Sequence, residues 1–386
     1  MRIAFVTETW LPATDGIVTR LHATITALLD EGHQVLIVCP RSRLGNRADS
    51  RSDPRATVRT VPTIGFDFLY GGQRWGLPLP TVAGYLRHFR PDVVHLVNPV
   101  LLGIAGALAA RYQRIPVVAS YHTNVSTYAG YYHLGVLRPL IEFTLRSLHR
   151  QASLNLATSG VGEQELHRLG ARNVRRWPRG VDLDLFHPSP EPARLDGRPV
   201  ALYVGRLAAE KGLHRLRPLS TTEGGFDLVL VGHGPQRDEL PDLLGPTARF
   251  TGLQHGERLA RTYRAADVFV FPSTTDTLGL AVLEGLASGL PVVAVDSRSS
   301  RELLAGCPAA RVVPADDPAA LARAARELVG LRRTNEGPEL SKVARQLAEG
   351  CGWGEATAYL VDCYEELVSA ARATDPRPPP SHRPTR

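Results

Sequence analysis

The sequence predicts an α/β protein built from two doubly wound halves that face each other across a cleft. Three observations predict it. Short β-branched runs alternate with amphipathic helical stretches, the pattern of parallel βαβ units. The alternation pauses in a Pro- and charge-rich stretch, Asp184–Arg198, and then restarts. The length of 386 residues suits two domains of about 150–200 each better than one.

In the first half the strand candidates are Ile3–Val6, Gln34–Val38, Val58–Val61, Asp92–Leu96, Val117–Tyr121 and Asn155–Thr158. Gly16–Leu29 places Val18, Leu21, Ile25 and Leu28 on one helical stripe. Thr81–His88, Leu101–Tyr112 and Leu137–Gln151 read as further helices. In the second half, Pro199–Val204, Phe226–Val231, Arg249–Phe250, Val268–Phe271, Val292–Val295 and Arg311–Val313 are strand candidates with helices between them. Trp353–Val368 is a late amphipathic helix. The expected organisation is a first Rossmann-like domain over 1–185 and a second over 186–350. A helix over 351–371 is placed to cross back to the first domain, and a Pro- and Arg-rich tail over 372–386 is expected to be disordered.

Composition excludes several classes. With 43% apolar and 22% charged residues the chain is globular. No apolar run reaches the roughly 18 residues that span a bilayer, and the first strand begins at once, with no signal-peptide pattern. Cys39, Cys307, Cys351 and Cys363 are scattered, with no C-x-x-C pair, which fits a reducing, cytoplasmic compartment and argues against a structural metal. The net charge is +7, almost all from arginine; Lys211 and Lys342 are the only lysines. The basic excess suits an anionic substrate or peripheral contact with the inner face of an anionic membrane. No nucleic-acid module is present, and the few aromatics do not interleave with basic runs.

The chemistry concentrates in loops that follow strands, where doubly wound sheets bind ligands. In Phe271-Pro-Ser-Thr-Thr-Asp276-Thr-Leu278-Gly279-Leu280-Ala-Val-Leu-Glu284, two carboxylates lie eight residues apart. Asp276 reads as loop, and Glu284 as two turns into a helix. Gly279 lets backbone approach a ligand, a helix start suits phosphate, and carboxylates accept from sugar hydroxyls. The plainer reading is that Asp276 caps the helix. Gly205-Arg206 through Lys211-Gly212 places two cations five residues apart, as a diphosphate requires. Gly232-His-Gly234-Pro235 follows another strand, and Gly16 opens the first helix. His122 ends the strand Val117–Tyr121, and Arg179-Gly180-Val-Asp182 closes the first half. Asn124–His133 is aromatic and polar and suits an acceptor with hydroxyls and an apolar body.

In this order and spacing, these motifs resemble the retaining glycosyltransferases of family 4, of GT-B fold, over roughly residues 1–370. The resemblance implies that Arg206 and Lys211 bind the donor diphosphate and that His122 is the active-site histidine. It also implies that Asp276 contacts sugar hydroxyls, that Glu284 holds the ribose, and that backbone at Leu278–Leu280 meets sugar and phosphate. Gly16 and Gly234 belong to the donor loops, and the base sits near Phe250–Leu253. It implies no metal and no cofactor beyond the nucleotide sugar itself. Val97-Asn98-Pro99 and Tyr203-Val-Gly-Arg-Leu-Ala-Ala-Glu-Lys211 look like sulfoquinovosyl diacylglycerol synthases and lipid mannosyltransferases. Three positions depart from the family pattern: Asp276 in place of Glu, Gly285 in place of Ala, and Ser297–Glu302 without its glycine pair.

The expected function is retaining transfer of a hexose from a nucleotide diphosphate sugar to a hydroxyl of a lipid or small-molecule acceptor. The rival readings are a nucleotide-sugar isomerase or epimerase on the same fold, and a non-catalytic nucleotide-sugar-binding protein. A dinucleotide dehydrogenase is disfavoured, because no G-x-G-x-x-G follows the first strand.

Overall fold

The computed structural model describes residues 1–11, 13, 15–42, 53–65, 74–122, 138–189, 197–221 and 225–374. The first half runs β1 (Arg2–Thr7), α1 (Gly16–Asp30), β2 (Gln34–Pro40), β3 (Thr57–Val61), β4 (Thr63–Gly65), β5 (Arg74–Gly76), α2 (Thr81–Phe89), β6 (Val93–Val97), α3 (Leu101–Gln113), β7 (Val117–Tyr121), α4 (Arg138–Gln151), β8 (Leu154–Ala157), α5 (Gly160–Arg168) and β9 (Val174–Arg176). The second half runs β10 (Val200–Val204), α6 (Arg217–Ser220), β11 (Asp227–Val231), α7 (Leu240–Leu244), β12 (Ala248–Gly252), α8 (Gly256–Arg264), β13 (Val268–Phe271), α9 (Leu280–Ala287), β14 (Val292–Val295), α10 (Arg298–Leu304), β15 (Ala310–Val313), α11 (Pro318–Arg332), α12 (Gly337–Glu349) and α13 (Trp353–Thr374).

Each half centres on a parallel sheet. The first has seven strands in the order β3-β2-β1-β6-β7-β8-β9, and the second has six in the order β12-β11-β10-β13-β14-β15. The central strands are buried along their whole length and mostly apolar, as helices on both sides of a parallel sheet require; His95 and Ser120 are the polar exceptions. In each sheet the strand order reverses once, between β1 and β6 and between β10 and β13. Such a reversal opens a crevice at the carboxyl ends of the two strands.

The chain crosses between the halves twice, side by side. Val181 bridges Gly352, and its amide donates to the Cys351 carbonyl at 2.8 Å. Gly180 has no room for a side chain, because a Cβ there would lie 1.9 Å from the Trp353 ring. Past this crossing, α13 packs Leu360, Cys363, Tyr364 and Val368 into the core of the first half, against Ile3, Leu21, Ile25 and Trp177. The Trp177 indole donates to the Ala356 carbonyl at 3.0 Å.

Several expectations are corrected. The segment from Arg372 is not wholly tail: α13 continues to Thr374, and Arg372 pairs with Asp92 at 2.9 Å. β12 is longer than Arg249–Phe250, spanning Ala248–Gly252. β4, β5 and β9 have three residues each, too short to carry a period. α5 was not expected from its glycine-rich start; a Ser159 cap on the Gly162 amide begins it. The Asn124–His133 segment lies outside the described residues.

Candidate active site

The two crevices open into one cavity of about 740 Å³ between the halves. Gly16, His122, Arg206, Lys211, Gly234, Leu253, Asp276, Leu278, Leu280 and Glu284 all line it. Gly279, also singled out from sequence, does not. It is the N-cap of α9 at φ 64°, a conformation that glycine adopts without strain.

The wall from the second half is built on β10 and β13. Lys211 Nζ lies 2.6 Å from Asp276 Oδ2, with both side chains about four-fifths buried. The other Asp276 oxygen accepts from the Gly279 amide at 2.9 Å. Burial opposes ionisation of Asp276, but Lys211 and the Gly279 and Leu278 amides outweigh it and hold the carboxyl below the usual range. Asp276 thus both braces the start of α9 and orients Lys211. α9 begins at Leu280, so Glu284 lies one turn into the helix rather than two. Glu284 Oε2 accepts from the buried Tyr263 hydroxyl at 2.7 Å. Burial pushes the Glu284 carboxyl up to about 7, against the lowering effect of that hydrogen bond. Tyr263, on α8, gave no sequence signal, since an aromatic on a helix reads as core.

The glycines after β11 serve the protein's own backbone first. A Cβ on Gly232 would sit 1.9 Å from the Gly205 carbonyl oxygen, and one on Gly234 would sit 2.3 Å from that of Leu207. Their absence of side chains lets the loop carrying Arg206 pack against the end of β11, which fixes where that cation stands.

The wall from the first half is built on β1, β6 and β7. Asp15 caps α1 by accepting from the Ile17 and Val18 amides at 2.9 and 3.0 Å. Gly16 faces Leu278 and Leu280 across the cleft; a Cβ there would lie 3.4 Å from the Leu280 side chain. His122 is buried, its Nε2 2.8 Å from Ser120 Oγ and its carbonyl accepting from Thr277 Oγ1 at 2.5 Å. Burial, with Arg20 and His95 nearby, drives its pKa well down, so the ring is neutral. Glu8, Trp75 and Asn98 also line this wall and were not picked out as site residues from sequence. The available signal for Glu8 was an acidic residue directly after an apolar strand.

Arg179 does not line the cavity but stands 3.8 Å from Glu302. Glu302, on α10, also accepts from the Gly160 amide at 3.0 Å and from Arg176 at 2.8 Å. It therefore joins the second half to the start of α5 in the first.

Residues 14–185 match the family described as Glycosyltransferase Family 4, and residues 198–330 match Glycosyl transferases group 1. The chain is 38% identical over 340 residues to a GDP-mannose-dependent alpha-mannosyltransferase of Mycolicibacterium smegmatis, covering 86% of this chain and 90% of that one. The chain belongs to glycosyltransferase family 4. This transferase is also 33% identical over 314 residues to the sulfoquinovosyl transferase SQD2 of Arabidopsis thaliana, covering 76% of this chain and 59% of that one. Its fold matches the solved sucrose-phosphate synthase of Thermosynechococcus elongatus with a TM-score of 0.79 at 22% identity, covering 96% and 99% of the two chains. The family 4 enzyme moves a hexose from a nucleotide diphosphate sugar to an acceptor hydroxyl; the isomerase reading finds no support among these relatives. Two of its departures from the family pattern have physical reasons. A Cβ on Gly285 would press within 3.2 Å of Phe269, and in the glycine-free Ser297–Glu302 stretch, which opens α10, Arg298 reaches Gln164 of the first half.

Proposed function

We propose that the enzyme transfers mannose from GDP-mannose, with retention and without a metal, to a lipid-borne acceptor at an anionic membrane surface. The carrying observation is the Lys211–Asp276 pair beside Arg206, at the strand reversal of the second sheet and facing the start of α1. In this reading Arg206 and Lys211 neutralise the diphosphate as it leaves, together with the amides at the start of α1. Asp276 holds sugar hydroxyls, Glu284 holds the ribose, and neutral His122 offers the sugar a hydrogen bond. Retention follows from attack on the face the diphosphate leaves, with that phosphate taking the acceptor proton. Cationic side chains here have the charge a metal would supply.

The similarity to a GDP-mannose-dependent enzyme supports the choice of base and sugar. A surface of the first half supports the membrane. Leu108 and Tyr112 on α3 are 62% and 81% exposed, and Leu140 and Phe143 on α4 are 63% and 71% exposed. Arg146, Arg150 and Arg172 border Phe143, and no described helix is long and apolar enough to cross a bilayer. Apolar tips ringed by arginine suit an anionic lipid interface. The test is mannose transfer from GDP-mannose to lipid in phosphatidylglycerol vesicles, with and without EDTA. Preference for UDP sugars, loss of activity on chelation with recovery in magnesium or manganese, or indifference to anionic lipid would each remove the corresponding part.

A further inference from the structure

Tyr263 sits near the end of α8, fully buried, and its ring is held on two sides. Phe186, just past the crossing from the first half, meets it edge-on at 5.5 Å, and Phe269 on β13 lies 5.7 Å away. The hydroxyl is thereby fixed in place. It points at two oxygens of α9, Glu284 Oε2 at 2.7 Å and the Ala281 carbonyl at 3.1 Å. A phenol has one hydrogen, so it serves one of these acceptors at a time, and the two contacts describe two states.

With Glu284 ionised, the hydrogen goes to the carboxylate, because a charge-assisted bond is about twice as strong as a neutral one. With Glu284 protonated on Oε2, the carboxyl hydrogen goes to the Tyr263 oxygen and the phenol hydrogen turns to the Ala281 carbonyl. The pair gains or loses one proton and stays hydrogen-bonded in either state. In both states Oε2 belongs to Tyr263. Oε1 meets no donor among the described residues and keeps accessible surface, and Glu284 lines the cavity. Among the described residues no charged side chain acts on this carboxyl; burial and the Tyr263 hydroxyl do. Tyr203 on β10 is the other titratable group near the phenol, and its own hydroxyl donates to the Arg206 carbonyl at 2.9 Å. Burial and Glu284 together keep the Tyr263 phenol from ionising.

We infer that Tyr263 is a positioning residue for the donor: its hydroxyl holds Glu284 with Oε1 open to the cavity, and its hydrogen moves between the Ala281 carbonyl and Glu284 as that carboxyl gains or loses its proton. The inference rests on the reading that Glu284 holds the ribose. Before the nucleotide arrives, the pair keeps a protonated Glu284 without leaving a polar atom unpaired. A ribose hydroxyl donating to Oε1 favours the ionised state, and the phenol hydrogen follows.

The test is Tyr263→Phe, which keeps the ring and removes only the hydroxyl. GDP affinity is measured by calorimetry across pH 6 to 9. Losing the hydrogen bond to the ionised carboxyl should move the midpoint of the rise in affinity up by about one pH unit. GDP should then bind about fivefold more weakly than to wild type at pH 7 and within about twofold at pH 9, with kcat at saturating donor within about twofold. Weakening of equal size at every pH would mean that the hydroxyl only packs, and overturns the inference; so does a midpoint that stays where wild type has it. A second measurement needs no nucleotide. The Glu284 carboxyl is followed by NMR in unliganded protein labelled at its glutamate carboxyl carbons, its signal assigned by its loss in Glu284→Gln. Its titration should move up by about one pH unit in Tyr263→Phe, and an unchanged titration overturns the inference. If that titration moves while Glu284→Gln binds GDP as wild type does, the ribose assignment falls and the Tyr263 pairing stands.

Discussion

On the second-half wall of the cavity, the key carboxylates already have partners: Lys211 for Asp276 and Tyr263 for Glu284. On the first-half wall, Trp75, Asn98 and His122 each keep an unpaired polar atom. A preassembled wall suits a ligand that is highly charged and must be met without reorganisation, as a nucleoside diphosphate is. The first-half wall carries a desolvation cost which, among the described lining residues, the second-half wall does not.

The largest expected effect comes from dismantling the preassembled wall. Lys211→Ala removes the cation proposed to meet the diphosphate and strands Asp276, and should cost about 3 kcal/mol or more, at least a hundredfold in kcat/KM for the donor. A change under tenfold would show that the pair is only structural. Arg206→Ala should cost less, about 1.5–3 kcal/mol, the value of one charged contact.

A second pair of substitutions separates the ends of the donor. Asp276→Asn should impair transfer while GDP affinity, read by calorimetry, changes little. Glu284→Gln should weaken GDP about tenfold, the value of one charge-assisted hydrogen bond. If Asp276→Asn weakens GDP as strongly as it weakens the sugar nucleotide, Asp276 acts as the brace of α9 alone.

The same wall should respond to pH. With its carboxyl raised to about 7, Glu284 is largely protonated in the free enzyme at pH 6. Ribose hydroxyls donate best to the ionised form, so GDP affinity should rise from pH 6 to 8, and Glu284→Gln should flatten that rise. Stability runs the other way. A raised carboxyl makes its contribution fully below the unfolded value of 4.5 and loses it as pH climbs through about 7. Glu8 is likewise raised to about 7 by burial, against the Leu102 and Gly76 amides, so each glutamate variant must be compared with wild type at every pH. A wild-type affinity flat across this range would remove Glu284 from the ribose.

The smallest effect is expected between the walls. Glu302→Gln weakens contacts to Arg176 and the Gly160 amide that are partly exposed, worth about 1 kcal/mol or less. It should raise the radius of gyration of the unliganded enzyme in X-ray scattering more than it lowers Tm. An unchanged radius would mean that the contact does not restrain opening.

The asymmetry also explains what could be read from the sequence. The second-half wall is local: Arg206 and Lys211 lie in one loop, and Asp276 and Glu284 on one loop–helix junction, so their spacing singles them out. The central strands of both sheets were legible for a similar reason, since central parallel strands are near-continuous apolar runs. The first-half wall is assembled from positions 8, 98 and 122, which the strand order β1-β6-β7 brings together, with position 75 added from the separate β4–β5 pair. No short motif contains them, and Trp75 sits on a strand of three residues. Glu302 was visible only as a departure from a pattern; its partners in the first half are far away in sequence.

The packing of α13 sets an order of events during synthesis. Leu360, Cys363, Tyr364 and Val368 complete the apolar core around Ile3, Leu21 and Ile25, and the Tyr364 hydroxyl meets His95 Nδ1 at 2.5 Å. At about 5–20 residues per second, the ribosome needs roughly ten to thirty seconds to go from the end of the first half to this helix. Throughout that interval the nascent first half presents an uncovered greasy flank, a natural landing place for a chaperone. A chain ended at residue 350 would keep that flank for good, and should bind a dye such as ANS where the full chain does not.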